Sequence, residues 1–340
     1  MREASSQCGA DIEAAARILE AGRLVAFPTE TVYGLGADAE NPDAVMSVFK
    51  AKGRPADHPL IVHLAADADP EYWSSDVNAS ARKLISAFWP GPLTLILPRA
   101  PHIPDVVAGG QNSIGLRCPA HPVAQALLRE FKAGKGGIAA PSANRFGRIS
   151  PTTASHVHEE FYENPSVACV LEGGQSTIGI ESTIIDLTRS HPVLLRPGSI
   201  SVMQIADLLG VMPRPPDVQA PRVSGSLASH YAPSTPVVVM PALEMSRIGE
   251  LLSSGVVRVA LMHYTTLAAI NFQGCETVAS VQMPVEPAGY AHNFYAALRQ
   301  LDSIDADVIV VEALPDDDSW GAVADRLMRA AHTGSEVLKR

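Results

Sequence analysis

Apolar and polar positions along the first 210 residues alternate between two periods. Short apolar runs at 23–27, 59–64, 93–97, 114–116, 137–140, 168–171, 182–187 and 193–195 have the length of buried strands. Between them, stretches at 11–21, 42–51, 79–88, 121–130, 152–160 and 201–209 place apolar residues at helical spacing. Start signals strengthen several of these. Asn41-Pro42 offers a cap followed by proline at the first helical position, and His121-Pro122 places proline in the same way. Thr152 and Thr153 after Pro151, and Ser201, can cap the next two helices. The strands are not evenly separated by helices. The pattern therefore predicts an α/β domain built on one large, twisted, mixed sheet.

Periodicity lapses between 211 and 235. Pro213, Pro215, Pro216, Pro221 and Pro233 crowd this stretch with Gly225 and several serines, which predicts an extended proline-rich linker. Beyond it the pattern restarts. Residues 237–240, 257–262 and 308–312 read as strands, and 243–252, 290–301 and 320–331 as helices. That is the order of a small Rossmann-like α/β domain. No G-x-G-x-x-G follows a strand there, so no dinucleotide is expected. The predicted division is 8–210, 211–235 and 236–340.

Composition fits this division. A chain of 340 residues is long enough for two domains, and 46% hydrophobic content can fill two cores. No apolar run approaches the roughly 20 residues needed to span a membrane. Residues 1–12 carry Glu3 and Asp11 and no apolar segment, unlike a secretory leader. Cys8, Cys118, Cys169 and Cys275 are far apart and form no C-x-x-C pair. They read as reduced thiols, which places the chain in the cytoplasm. Residues 236–340 hold 7 basic against 13 acidic side chains, and residues 1–235 hold 19 against 23. Neither part has the basic excess of a general nucleic-acid binder, so any polyanion site must be local.

The chemistry concentrates at Phe27-Pro-Thr-Glu-Thr-Val-Tyr-Gly-Leu-Gly-Ala37. A strand runs into three hydroxyls, a carboxylate and two glycines that permit a tight turn or close approach to a ligand. Lys52-Gly53-Arg54-Pro55 follows, then Pro59-Leu-Ile-Val-His63, Phe88-Trp-Pro-Gly-Pro-Leu-Thr94 and Gly115-Leu-Arg-Cys-Pro119. Pro141-Ser-Ala-Asn144, Glu181-Ser-Thr-Ile184 and Arg196-Pro-Gly198 complete the series. These motifs, in this order over about residues 10–210, resemble the YrdC-domain family. The whole chain is similar to the two-domain threonylcarbamoyl-adenylate synthases, through His230-Tyr231-Ala232-Pro233 in the linker. Where those enzymes usually carry Pro-Gly-Met before that motif, this chain has Ser224-Gly225-Ser226-Leu227.

The resemblance implies a nucleotidyltransferase that joins L-threonine, bicarbonate or CO2, and ATP, with Mg2+ carried on the ATP phosphates. Its product would serve threonylcarbamoyl-adenosine formation at position 37 of tRNA. A downstream tRNA threonylcarbamoyl-transferase complex would be the partner, with at most a weak direct tRNA contact. It implies a catalytic set of Lys52, Arg54, Ser142 and Asn144. Thr31, His63, Arg117, the Ala140 backbone and Ser182 would hold threonine. Arg54, His58, Ser113, Ser142, Ser150, Arg196 and linker Tyr231 would hold ATP, the linker acting as a lid. Side-chain chemistry agrees. Arginines offer forked charge to carboxylate or phosphate, and the Ser and Asn offer directed hydrogen bonds.

Other features read as structural. His63 taken alone is a core histidine at a strand end, and Trp89-Pro90-Gly91-Pro92 is a rigid turn. Glu30 and Glu181 are hydrogen-bonded or solvated carboxylates. His156 and His158 do not share a helix face, so they make no zinc site. A second reading is an RNA-binding module of the same domain type without turnover. The net charge of residues 1–235 weighs against it.

Overall fold

The structure is a computed structural model. It describes residues 11–340 apart from 163, 226–229, 253–254, 256–257, 267–274, 333 and 339–340. The chain divides into two compact units. One comprises residues 1–146 and 150–226, the other residues 147–149 and 227–340.

The first unit holds a nine-stranded sheet. Its strands are β1 (Leu24–Phe27), β2 (Gly34–Asp38), β3 (Ile61–His63), β4 (Leu93–Pro98), β5 (Ser113–Arg117), β6 (Ile138–Ala139), β7 (Val167–Val170), β8 (Thr183–Asp186) and β9 (Val193–Arg196). The spatial order is β7-β1-β2-β6-β3-β5-β4-β8-β9, with parallel and antiparallel pairs mixed. Six helices cover it: α1 (Ile12–Glu20), α2 (Pro42–Lys52), α3 (Ala79–Phe88), α4 (Pro122–Glu130), α5 (Ala154–Phe161) and α6 (Val202–Leu209). Strand β1 shows how the sequence sorts itself. Successive side chains point to opposite faces of a strand. Leu24 and Ala26 join a core with residues of α2, α3, α5 and α6, while Val25 and Phe27 join another with α1 and α4.

The cap signals act as read. Asn41 Oδ1 accepts from the Asp43 and Ala44 amides, and Ser201 and Gln204 form a reciprocal capping box. One segment departs from the sequence reading. Residues 34–38, whose two glycines permit a tight turn or a close approach and which show no strand pattern in the sequence, form strand β2 against β1 and β6. Packing is the reason. A Cβ on Gly36 would lie 2.7 Å from Ile138 Cγ2 and 2.9 Å from Phe27 Cε1. Glycine here admits neighbouring side chains across the strand.

The second unit holds a parallel four-stranded sheet in the order β10-β13-β11-β12. Its strands are β10 (Val237–Met240), β11 (Arg258–His263), β12 (Glu276–Gln282) and β13 (Val308–Glu312). Helices α7 (Ile248–Leu251), α8 (Pro287–Asp302) and α9 (Gly321–Ala330) accompany it. Strand β12 was not anticipated. Its residues are largely exposed or half-buried, so it carries no apolar run to betray it. The helix expected over 243–252 begins as a 3-10 turn at Ala242–Arg247 and becomes α-helical only at Ile248.

The expectation of four reduced thiols fails at Cys169, which is disulfide-bonded, while Cys118 and Cys275 are free and Cys8 lies outside the described residues. Among the described residues no helix is long and apolar enough to cross a membrane.

Candidate active site

Five strands of the large sheet bring polar residues into one row. His63 on β3 sits in register with Arg117 on β5, Arg117 with Thr94 on β4, Thr94 with Ile184 on β8, and Ile184 with Arg196 on β9. Residues level with one another across a sheet face the same way. The apolar strands therefore deliver His63, Arg117, Thr94 and Arg196 to one surface. All four are buried.

Arg117 is the hub. Its Nη2 donates to Glu30 Oε1 at 2.7 Å, its Nη1 to Thr31 Oγ1 at 2.8 Å, and its Nε to the Gly91 carbonyl at 3.4 Å. Glu30 Oε2 accepts the Ala120 amide at 3.0 Å. The turn that offers Glu30 and Thr31 is organised by Thr29. Its hydroxyl donates to the Val32 carbonyl at 2.6 Å and accepts from the Thr31 and Val32 amides. The Trp89–Pro92 turn is pinned through Trp89 Nε1 to the Leu93 carbonyl, and so brings the Gly91 carbonyl to the arginine.

His63 lies beside this ion pair, edge-on to Phe27 at 5.9 Å. Its Nδ1 is 3.2 Å from the Ile61 carbonyl. Burial, and then the positive charge of Arg117, push its pKa down to about 3. At neutral pH it is an uncharged imidazole. Ser182 continues the row. Its hydroxyl shares a hydrogen bond with Thr94 Oγ1 at 2.8 Å and accepts from Arg196 Nη2 at 3.1 Å. Arg196 also donates to the Ser182 carbonyl and, at 2.9 Å, to the Ser224 carbonyl. Ala140 is buried, and its amide is committed to the Ile61 carbonyl at 2.9 Å.

A second cluster forms where α2 ends. Lys52 Nζ donates to the Ser142 carbonyl at 2.6 Å and to the Asn144 carbonyl. Burial, reinforced by the nearby charge of Arg54, holds its pKa well below the usual lysine range. Arg54 donates to the Pro59 carbonyl at 3.0 Å and lies 5.7 Å from the Phe146 ring centre. His58 meets the same ring edge-on at 5.4 Å, and burial followed by the Arg54 charge lowers its pKa. The Phe146 amide closes the group by donating to the Lys52 carbonyl. Gly34 and Ser142 pair as an isolated bridge, and the Ala143 amide donates to the Tyr33 carbonyl. The 142–144 loop is thereby tied to the turn carrying Thr31. Ser150 is buried and donates to Glu181 Oε1 at 2.6 Å.

Ser113 lines a shallow surface cleft with Leu60, Ile61, Ile96, Ile184 and residues 222–224 around it. Residues 222–224 are strapped down here. The Arg222 amide donates to Gln111 Oε1 at 2.8 Å, Arg222 Nη1 pairs with Asp57 at 2.8 Å, and the Ser224 carbonyl takes the Arg196 bond.

The predicted residues thus fall into three places in the first unit. Thr31, His63, Arg117 and Ser182 share the polar row, with Ala140 near the start of the 142–144 loop. Lys52, Arg54, His58, Ser142 and Asn144 gather around that loop and Phe146. Ser113 and Arg196 flank the strapped cleft. Tyr231 is in the second unit, buried at a backbone φ of 61° beside His230 (ring centres 4.1 Å), Tyr295 and Arg326. Two participants were not picked out from sequence. Thr94 is the hydroxyl inside the apolar run Leu93–Leu97, and its signal was its register with Arg117. Glu30 was set aside as an ordinary carboxylate, yet it is the charge partner of the hub.

Fold and site together define a two-unit α/β protein whose large sheet gathers buried cationic side chains at one surface. The family model described as telomere recombination matches residues 17–198, and the one described as the threonylcarbamoyl-AMP synthase C-terminal domain matches residues 200–332. Threonylcarbamoyl-AMP synthase of Pyrococcus abyssi (strain GE5 / Orsay) is 39% identical over 336 residues, which cover 96% of this chain and 95% of the relative. That of Bacillus subtilis (strain 168) is 38% identical, with 96% and 94% covered. The crystal structure of Pyrococcus abyssi Sua5 complexed with L-threonine matches with a TM-score of 0.84 at 37% identity, over 95% of this chain and 94% of that one. The chain belongs to the threonylcarbamoyl-AMP synthase family.

Proposed function

We propose that this chain is a nucleotidyltransferase that makes L-threonylcarbamoyl-adenylate and pyrophosphate from L-threonine, bicarbonate and ATP. The observation that carries this reading is the Arg117 row lying next to a loop held by Lys52. Threonine's uncharged amine adds to CO2 with loss of a proton, or to bicarbonate with loss of water, and the resulting carbamate oxygen attacks the α-phosphorus of ATP while pyrophosphate departs. Such a displacement needs positioning and charge neutralisation more than covalent catalysis.

In this reading Arg117 takes the threonine carboxylate through its guanidinium, sharing it with Glu30, and Thr31 and Ser182 offer hydroxyls. His63, being neutral, orients by hydrogen bonding; a pKa so low makes it a poor proton acceptor at neutral pH. Arg54, Ser142, Asn144, Ser150 and His58 face the phosphates. Lys52 keeps the 142–144 loop in shape. Ser113, Arg196 and residues 222–224 bound the nucleotide cleft, and residues 222–233, including Tyr231, act as its lid. Residues 226–229 of that lid lie outside the described residues.

A divalent cation such as Mg2+, carried on the ATP phosphates, would supply neutralisation of their charge. Among the described residues no group of three or more His, Cys, Asp or Glu side chains could hold a metal ion. The product is a labile mixed anhydride, so its consumer is a tRNA threonylcarbamoyl-transferase working close by in the cytoplasm. The test is pyrophosphate release with each substrate omitted in turn. Release should require threonine, bicarbonate, ATP and Mg2+ together. Equal turnover without threonine would sink the reading.

A further inference from the structure

Three residues in the stretch from Ser142 to Ser150 leave the unit that carries the rest of it. Residues 1–146 and 150–226 form the first unit, but Gly147, Arg148 and Ile149 belong to the second, with residues 227–340. They join Ser142 and Asn144 on one side to Ser150 on the other. All three of these flanking residues face the phosphates in the reading proposed above. Consecutive Cα atoms are a fixed ~3.8 Å apart, so a segment held at its middle restrains the residues on either side. Whatever grips 147–149 therefore acts on Asn144 and Ser150 as well.

The end of the linker and one face of α8 make the grip. Gly147 turns at a φ of 79°, which favours glycine, and its carbonyl accepts the Ala232 amide at 2.9 Å. Arg148 and Ala232 pair as a parallel bridge, and Arg148 Nη2 donates to Ser234 Oγ. Ile149 is buried, and its carbonyl accepts from Arg299 Nη2. One turn further along α8, Asp302 accepts the Ser234 amide at 3.0 Å and the Thr235 amide at 2.8 Å. One turn before Arg299, the buried Tyr295 ring lies 5.6 Å from that of Tyr231. Positions 295, 299 and 302 follow helical spacing and so share one face of α8. That face meets the linker at 231 and 234–235 and the loop at 149.

The synthase reading gives residues beyond the linker no part in the chemistry. We propose that Arg299 is a positioning residue for the synthase reaction. With the Ala232 amide it fixes the main chain of 147–149 and thereby places Asn144 and Ser150 for ATP. The second unit then contributes to the phosphoryl step without touching substrate, through geometry alone. The catalytic consequence rests on the synthase reading, whereas the grip on the loop does not.

Two variants of the full-length protein test it. Arg299→Met keeps the apolar reach of the side chain and loses its donors, while Arg299→Lys keeps a charged donor. Loss of one charge-assisted bond shifts an equilibrium about tenfold or more. Amide exchange in the peptide 144–150, read by mass spectrometry, should therefore quicken about tenfold in Arg299→Met and largely return in Arg299→Lys. In the same Met variant kcat for pyrophosphate release should fall about tenfold. Threonine affinity should stay within about twofold of the parent, because the Arg117 row does not run through 147–149. If Arg299→Met does not fold, Ser234→Ala at the exposed Arg148 contact should still quicken the same exchange about threefold. Unchanged exchange at 144–150 overturns the proposal. So does a loss of threonine affinity as large as the loss of kcat, which would mark general loosening. A parent protein without threonine-dependent release would defeat the synthase reading and leave the exchange data to decide the grip.

Discussion

Arg117 and Glu30 form a buried ion pair that, in the proposed reading, serves both the fold and the substrate, and paired substitutions separate the two roles. Their side chains are 5% and 8% exposed, with Nη2 and Oε1 2.7 Å apart. Arg117→Met leaves the Glu30 carboxylate buried with only the Ala120 amide from its former partners. Orphaning one member of such a pair costs about 3–5 kcal/mol. For a unit of this size each kcal/mol moves the melting temperature by roughly 2–4 °C, so the single variant should melt about 6–20 °C lower. Arg117→Met/Glu30→Met removes both charges. It should recover at least about 2 kcal/mol of that loss, because the penalty lies in the unpaired charge and not in the missing attraction. Threonine binding should follow the other logic. Both variants lack the guanidinium, and loss of a charge-assisted contact of roughly 1.5–3 kcal/mol weakens binding about tenfold to a hundredfold. Calorimetric melting and threonine titration on the same samples read the two effects. A double variant that binds threonine like the parent would refute the assignment of Arg117. Strictly additive melting shifts would refute the buried-pair energetics.

His63 predicts a pH effect of definite sign. Its folded pKa of about 3 lies below the unfolded value of about 6.5. The unfolded chain therefore binds a proton that the folded chain refuses, and this group's contribution is full above pH 6.5 and is lost progressively as pH falls toward 3. His63→Asn should flatten the stability slope between pH 6.5 and 4 in denaturant titrations, and parallel slopes would dismiss the idea. Gly36→Ala should destabilise by about 1–3 kcal/mol through overpacking against Ile138 and Phe27, measured by urea unfolding; an unchanged midpoint would show that the strand can yield. ATP with threonine should slow amide exchange in residues 222–225 and 230–233, and Arg196→Ala should quicken it at 222–225 by releasing the Ser224 carbonyl. Exchange unaffected by substrates would make the segment a spacer.

Legibility from sequence followed the strength of local signals. Where a strand was apolar and a helix capped, as at Leu24–Phe27 and Pro42–Lys52, pattern and structure coincide. Where stability came from partners, the pattern was blind. Strand β2 exists because Phe27 and Ile138 fill the space above its glycines, and β12 because it completes a sheet edge with half-exposed residues. The site divides in the same way. Motif order singled out His63, Arg117 and Lys52, but their physical state arises only from assembly. A histidine becomes a neutral imidazole because assembly buries it and then sets the charge of Arg117 beside it, and a lysine becomes the pin of a loop because α2 ends under Ser142 and Asn144. Glu30 is the sharpest instance. Alone in sequence it is one of 36 acidic residues, and nothing local distinguishes it. Register across β3, β5 and β4 puts Arg117 where that carboxylate, Thr31 and the Gly91 carbonyl meet it. If Arg117 holds threonine as proposed above, its charge is balanced in advance, and threonine enters by competing for an arginine already paired. That competition keeps Arg117 extended and ordered before substrate arrives, which lowers the entropy lost on binding.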